Sequence, residues 1–205
     1  QQPVDPIDER LAASIAFHEV IPEALAAWYD YVITDSGGQV TLVEERIGAP
    51  IAVVDIGGRT TDYVVVADQA VVHDASGSLR CGLLDVKQQV GEGIRAQYDL
   101  EVVGERTVEH AVQTGTVRLY GQDQDVSALV HEAKQQVLER LHAETRRQLG
   151  LGAELDRVLF VGGGTVALAE SIRDWFPNQA VAEHPAFANA RGMLKYLRFV
   201  CDMPV

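Results

Sequence analysis

Positive charge is scarce in this chain: 17 Lys and Arg stand against 30 Asp and Glu, a formal net charge of −13. That balance excludes a basic nucleic-acid surface as its main business. Cysteine is scarcer still. Cys81 and Cys201 form no CxxC pair, which excludes a disulfide framework or a zinc knuckle. They read as reduced thiols of a cytoplasmic protein, with a disulfide between them left open. The six histidines lack metal spacing. His131-Glu132 begins like a zincin helix, but position 135 is Gln, so the second ligand is missing. No apolar run approaches the ~20 residues of a membrane span. Residues 1–10, QQPVDPIDER, are polar and acidic, unlike a signal peptide. The chain opens on Gln1 rather than Met, so a segment of a longer protein is expected. Repeats and low-complexity stretches are absent.

What is present is an ordinary α/β composition, 47% hydrophobic and 23% charged. Residues 1–13, with Pro3 and Pro6, read as a linker. Residues 14–21 form a candidate strand. Residues 22–34 form an apolar-rich helix, with Pro22 in a first turn that tolerates it and 35–38 as the closing turn. Ile51–Ile56 is a short β-branched run typical of a buried strand. Residues 57–60 make a turn, 61–67 return, and 70–73 add a third strand. Helix 83–97 follows, with Leu83, Val86, Val90 and Ile94 on one face and Gly91 and Gly93 weakening it. A short helix near 107–114 and a strand near 116–120 come next. Asp125 or Ser127 caps a long helix that Gly150 stops. Residues 157–161 form another strand, with helix 165–175, a strand at 181–182 and helix 186–198 to close. Antiparallel strands followed by alternating βα units are the ribonuclease H-like plan, an α/β fold with one mixed sheet and helices on both faces.

The sharpest chemical feature is Asp55-Ile56-Gly57-Gly58-Arg59-Thr60-Thr61-Asp62. A carboxylate ends a buried strand, and two glycines let backbone N–H groups approach an anion with no Cβ between. Threonine hydroxyls add donors, and an aspartate beside a phosphate typically holds Mg²⁺. The alternative is a plain glycine hairpin. A second feature runs from Val158 through Gly162-Gly163-Gly164-Thr165, where a strand passes into a helix whose N-terminus is left open to a ligand. On its own this is equally a tight turn needing small residues.

Together these residues bring a family into view. DIGGRTTD resembles the second phosphate loop of the actin-like ATPases, and FVGGGT resembles their adenosine motif. With Pro185–Gly192 (PAFANARG), the chain from about residue 15 is most similar to the ParM/StbA-type plasmid segregation proteins. The resemblance implies ATP and Mg²⁺ as ligands. Asp55 would hold the ion through water, and Gly57, Gly58, Arg59, Thr60, Gly162, Gly163, Gly164 and Thr165 would hold the nucleotide. It implies that Glu23, in Ile21-Pro22-Glu23-Ala24-Leu25-Ala26, orients the attacking water. The competing reading of Glu23 is an acid suited to the helix dipole. Arg59 either meets phosphate or stabilises the hairpin, and Lys87 either approaches the nucleotide or stays solvated.

The family's first phosphate loop has no counterpart here. Residues 1–14 are therefore expected to be a linker or cut edge. Residues 15–205 are expected to form the second, C-terminal domain, with a small inserted subdomain at about 99–125. With half the phosphate clamp missing, the chain alone is expected to hydrolyse ATP negligibly and to bind it weakly. The implied partners are further copies in a filament and a centromere-binding adaptor protein, with no direct contact to DNA or membrane. Two other readings remain: a non-polymerising chaperone-type ATPase or scaffold, and a ribonuclease H-like nuclease using Asp55, Glu92 and Asp156.

Overall fold

The computed structural model describes residues 20–36 and 39–201. The expected linker, most of the candidate strand at 14–21 and the Gly37-Gly38 turn lie outside them; Val20 and Ile21 carry no regular structure.

The centre is a six-stranded sheet. Strand β3 (Ile51–Ile56) pairs antiparallel with β4 (Thr61–Ala67) and parallel with β9 (Arg157–Val161), and β10 (Gln179–Val181) continues parallel beyond β9. β5 (Ala70–Val71) and β6 (Gly77–Leu79) both pair antiparallel with β4. Successive side chains on a strand point to opposite faces. Ile51 and Val53 of β3 accordingly pack with Val64 and Val66 of β4 and Leu159 and Val161 of β9. Helix α1 (Glu23–Val32) covers this face through Ala24, Ala27, Trp28 and Val32, and α7 (Ala188–Phe199) joins it through Ala188. Ala52, Val54 and Ile56 face the other way, against α3 (Leu83–Tyr98) and α5 (Ser127–Leu149). The mixed sheet with helices on both faces is the expected ribonuclease H-like plan.

Between α3 and α5 stand α4 (Glu105–Thr114) and a separate hairpin of β7 (Thr116–Leu119) and β8 (Gln122–Asp125). Val108, Ala111 and Val117 from this region join the same hydrophobic cluster as α3 and α5. Neither Asp125 nor Ser127 is the N-cap of α5: Val126 holds that position, and Asp125, one residue before it, accepts the N–H of Ser127, the first helical residue, at 2.8 Å.

Several boundaries differ from expectation. The first helix ends at Val32, because the β-branched Ile33 and Thr34 pair with Leu42 and Thr41 in a hairpin of β1 (Ile33–Ser36) and β2 (Gln39–Leu42). A four-residue helix, α2 (Glu44–Ile47), follows it. The strand expected at 70–73 stops at Val71, and residues 73–75 form a 3-10 turn. The helix expected over 165–175 is α6 (Gly163–Leu168). It breaks into turns that bury Ile172 and Phe176 in the core, ahead of Pro177. β8 has no apolar residue, so no hydrophobic pattern announced it.

Helices α1 and α7 cross at almost backbone-to-backbone distance. A Cβ added at Gly192 would overlap the Ala26 carbonyl. Beside the crossing, Asp30 is held by Arg191 and by Lys195 at 2.7 Å.

Candidate nucleotide site

The site forms where β3 and β9 end. Their parallel register sets Asp55 beside Val161, so the two glycine turns that follow emerge side by side. The first turn is closed by the Gly57 N–H donating to the Thr60 carbonyl at 2.9 Å. Its outer carbonyls are taken by α3. Leu83 N–H donates to Gly57 O at 3.1 Å, and Leu84 N–H donates to Gly58 O at 2.8 Å. In a trans peptide the C=O and the following N–H point in opposite directions. Anchoring the Gly57 and Gly58 carbonyls on α3 therefore turns the Gly58 and Arg59 N–H groups away from it. Neither N–H has a partner among the described residues. These are the donors an anion requires.

The second turn locks onto the first. Gly162 has φ +90°, and a Cβ there would overlap Asp55 Oδ1 and the Ile56 carbonyl. At Gly164 a Cβ would lie 2.7 Å from Ile56 O, whereas Gly163 faces open space. The Gly162 N–H donates to Pro185 O at 2.9 Å, which ties the turn to the segment before α7. Asp55, Gly57, Gly162 and Gly164 are thus brought together. Thr165 is fully buried and its hydroxyl donates to the Val161 carbonyl, so it braces the turn from beneath. Thr60 donates to Asp62 Oδ2 at 3.0 Å, and Thr61 is buried, donating to Cys81 O.

Strand parity sets Asp55 and Asp62 on the α1/α7 face, directly opposite each other across the β3–β4 pair. Glu23, exposed at the first position of α1, shares a cavity of about 620 Å³ with Asp62. Asp55 is 3% exposed. Burial pushes its carboxyl up from the usual range, the Asn189 hydrogen bond pulls it down, and the charges of Glu23 and Asp62 push it up further. Asn189 Nδ2 donates to Asp55 Oδ2 at 2.7 Å, and Asn189 Oδ1 is itself buried without a partner. Neither Asn189 nor Asp62 emerged from the sequence as a site residue. Both stood in flagged stretches, PAFANARG and DIGGRTTD. Asn189→Ala is expected to leave a buried carboxylate oxygen unmet and to lower stability by about 2 kcal/mol, read from the urea midpoint. An unchanged midpoint would mean that water replaces the amide without loss.

Other residues fall elsewhere. Arg59 is exposed and lines a cleft of about 410 Å³ with Arg80, Leu84 and Gln88. Lys87 is neither solvated alone nor aimed at the glycine turns: it pairs with Glu109 of α4 at 2.8 Å. The nuclease set is not assembled. Asp156 precedes β9, at the strand end opposite Asp55, and Glu92 is exposed on α3 with Gln88. Among the described residues, no group of three or more His, Cys, Asp or Glu could hold a metal ion. The carboxylate of Asp55 is the group here that suits Mg²⁺, which is commonly bound by one or two carboxylates with phosphate oxygens and water completing the shell, while the free amides suit the phosphate oxygens.

A mixed sheet in this strand order, with paired glycine turns around a carboxylate, defines the fold of the actin-like ATPases. The family described as "Archaeal actin homologue MreB-like, C-terminal" matches residues 53–174, and the chain belongs to it. Its backbone is similar to that of a non-polymerisable quadruple mutant of pCBH ParM. The identity is 18%, the TM-score 0.74, and 96% of this chain and 59% of that one are covered. A 15-stranded ParM filament from Clostridium botulinum gives 18% identity, 96% and 58% coverage and a TM-score of 0.72. Ta0583, an archaeal actin homologue in complex with ADP, gives 19% identity, 83% and 53% coverage and a TM-score of 0.63. The chain spans little more than half the length of these structures. No curated protein matches the sequence. No described helix is long and apolar enough to cross a membrane.

Proposed function

We propose that this domain is the C-terminal half of an actin-like, filament-forming ATPase that segregates plasmid or mobile-element DNA. The observation that carries the reading is the meeting of the Gly57-Gly58 and Gly162–Gly164 turns around Asp55. ATP is the ligand, with Mg²⁺ beside its phosphates. The free Gly58 and Arg59 amides bind phosphate oxygens. The open flank at Gly163 admits the nucleoside side of the ligand. Mg²⁺, when bound, neutralises charge on the transferring phosphoryl group, with Asp55 holding it through water. Glu23 accepts a hydrogen bond from the attacking water and aims it in line at the terminal phosphorus. Positioning of this kind is most of what phosphoryl transfer asks of a protein. The other half of the phosphate clamp belongs to the rest of the protein, so turnover is a property of the whole.

The partners in this reading are further copies of the protein and an adaptor bound to a centromere-like site. A net charge of −13 suits an ATPase that leaves DNA contact to the adaptor. Likeness to ParM over 96% of the chain supports the filament. Light scattering of the complete protein on adding Mg²⁺-ATP tests it: the expected trace rises and then decays as nucleotide is spent. A protein that binds ATP and never scatters would be a non-polymerising chaperone-type ATPase or scaffold instead.

A further inference from the structure

Among the described residues, one side chain donates a hydrogen bond to the Asp55 carboxylate. It is Asn189, the second residue of α7, through Nδ2 to Asp55 Oδ2 at 2.7 Å. A carboxylate only accepts hydrogen bonds, so the amide must turn its nitrogen to Asp55. The amide oxygen is left over. Asn189 Oδ1 is buried, and no described group donates to it. Trp28 Nε1 and Asn178 Oδ1 are likewise buried without a partner. Asn178, however, binds the carbonyls of Gly152 and Leu155, and Trp28 packs in the core. Asn189 alone of the three touches the site.

A buried acceptor with no donor costs about 1–3 kcal/mol, and the chain around Asn189 is not free to relieve it. The Gly162 N–H holds the Pro185 carbonyl at 2.9 Å. Arg191 holds the carbonyls of Glu183 and His184 and the carboxylate of Asp30. The start of α7 is thus clamped on both sides of Asn189. Asp55 is fixed as well, because only a residue without Cβ fits against its Oδ1 at Gly162.

The chemistry of the neighbours identifies the missing donor. Asp62 stands opposite Asp55 across the β3–β4 pair, and Glu23 shares the cavity of Asp62. Carboxylates and an amide oxygen are all acceptors, so a ligand among them must bring hydrogens. A lone water meets one or two acceptors but offsets no negative charge. A hydrated divalent cation does both: its waters turn their oxygens inward and their hydrogens outward, and Mg²⁺ commonly keeps several of them.

We propose that Asn189 positions the Mg²⁺ of the nucleotide complex. Its Nδ2 orients the Asp55 carboxylate, and its Oδ1 accepts a hydrogen bond from a water of the ion's hydration shell. The proposal rests on the Mg²⁺-ATP reading and deepens it by adding a positioning residue from α7.

The test measures the ATP Kd of the complete protein twice, in EDTA and in Mg²⁺. Asn189→Leu keeps most of the volume and removes both polar groups. The ratio of Kd in EDTA to Kd in Mg²⁺ is expected to fall about tenfold or more below the wild-type ratio, the usual effect of removing a group hydrogen-bonded to a metal's ligand. Asn189→Ala repeats the measurement if the leucine is not accommodated. An amide that only braces α7 predicts that both constants rise together; an unchanged ratio therefore overturns the proposal. A second measurement needs no variant. The Asn189 side-chain ¹⁵N signal of the wild type is expected to shift when Mg²⁺ is added to protein already saturated with ADP in EDTA, and a stationary signal overturns the proposal. A wild type whose ATP Kd is the same in EDTA and in Mg²⁺ overturns the Mg²⁺-ATP reading and this role together.

Discussion

Gly192→Ala is expected to lower the thermal midpoint by about 10 °C or to prevent folding outright. The reason is the α1–α7 crossing. An added methyl would overlap the Ala26 carbonyl and press on the Asp30 backbone N–H. Both are backbone atoms in the middle of α1, so neither can rotate away as a side-chain tip would. Relief requires the helices to separate, which exposes Ala24, Ala27 and Trp28 and pulls Arg191 and Lys195 off Asp30. Overpacking typically costs about 1–3 kcal/mol where side chains can yield, and the upper end or beyond applies where they cannot. A circular-dichroism melt decides it. A midpoint within a degree or two of wild type would mean that α1 and α7 do not cross so closely in solution. The crossing also bears on the site, because α7 delivers Asn189 to Asp55 and α1 delivers Glu23.

Glu23→Ala is expected to slow ATP hydrolysis by the complete protein about 10²–10³-fold while nucleotide affinity stays within a few-fold of wild type. Filaments of the variant then persist after they form. Glu23 is exposed across the cavity from Asp62, and its charge is felt at Asp55. The competing role, an acid favouring the helix dipole, predicts a different result: a loss of about 0.3–1 kcal/mol in stability and no change in turnover. Single-turnover hydrolysis beside equilibrium binding separates the two. A variant that turns over at the wild-type rate removes Glu23 from the chemistry.

The core strands were legible because their cause is local. Ile51-Ala-Val-Val-Asp-Ile56 and Val158-Leu-Phe-Val161 are short, β-branched or apolar, and bounded by glycine, which is what burial on both faces of a sheet demands. Asp55 and the glycine turns were legible for the same reason: a charged residue ending a buried run, followed by residues without side chains, departs from pattern within one octapeptide. Strands β1, β2 and β8 were not. Their residues are polar or mixed, and what makes them strands is pairing with a neighbour.

Asn189 shows where reading along the chain ends. The amide meets Asp55 from 134 positions away, and nothing in the Ala188-Asn189-Ala190 tripeptide announces that contact. Asp62 is subtler: its place opposite Asp55 follows from the β3–β4 register, which depends on the number of residues in the turn. The fate of Thr165 was likewise tertiary. Its hydroxyl reads as a donor in sequence and is committed to Val161 in the fold. By itself, then, the sequence determined the α/β class, the core strands, the carboxylate and the glycines, because local hydrophobic pattern and missing Cβ atoms are written residue by residue. Only the tertiary structure decided which groups face the same cavity and which donors are left free. Those facts depend on distances between segments that are remote in sequence and brought together by the packing of the sheet.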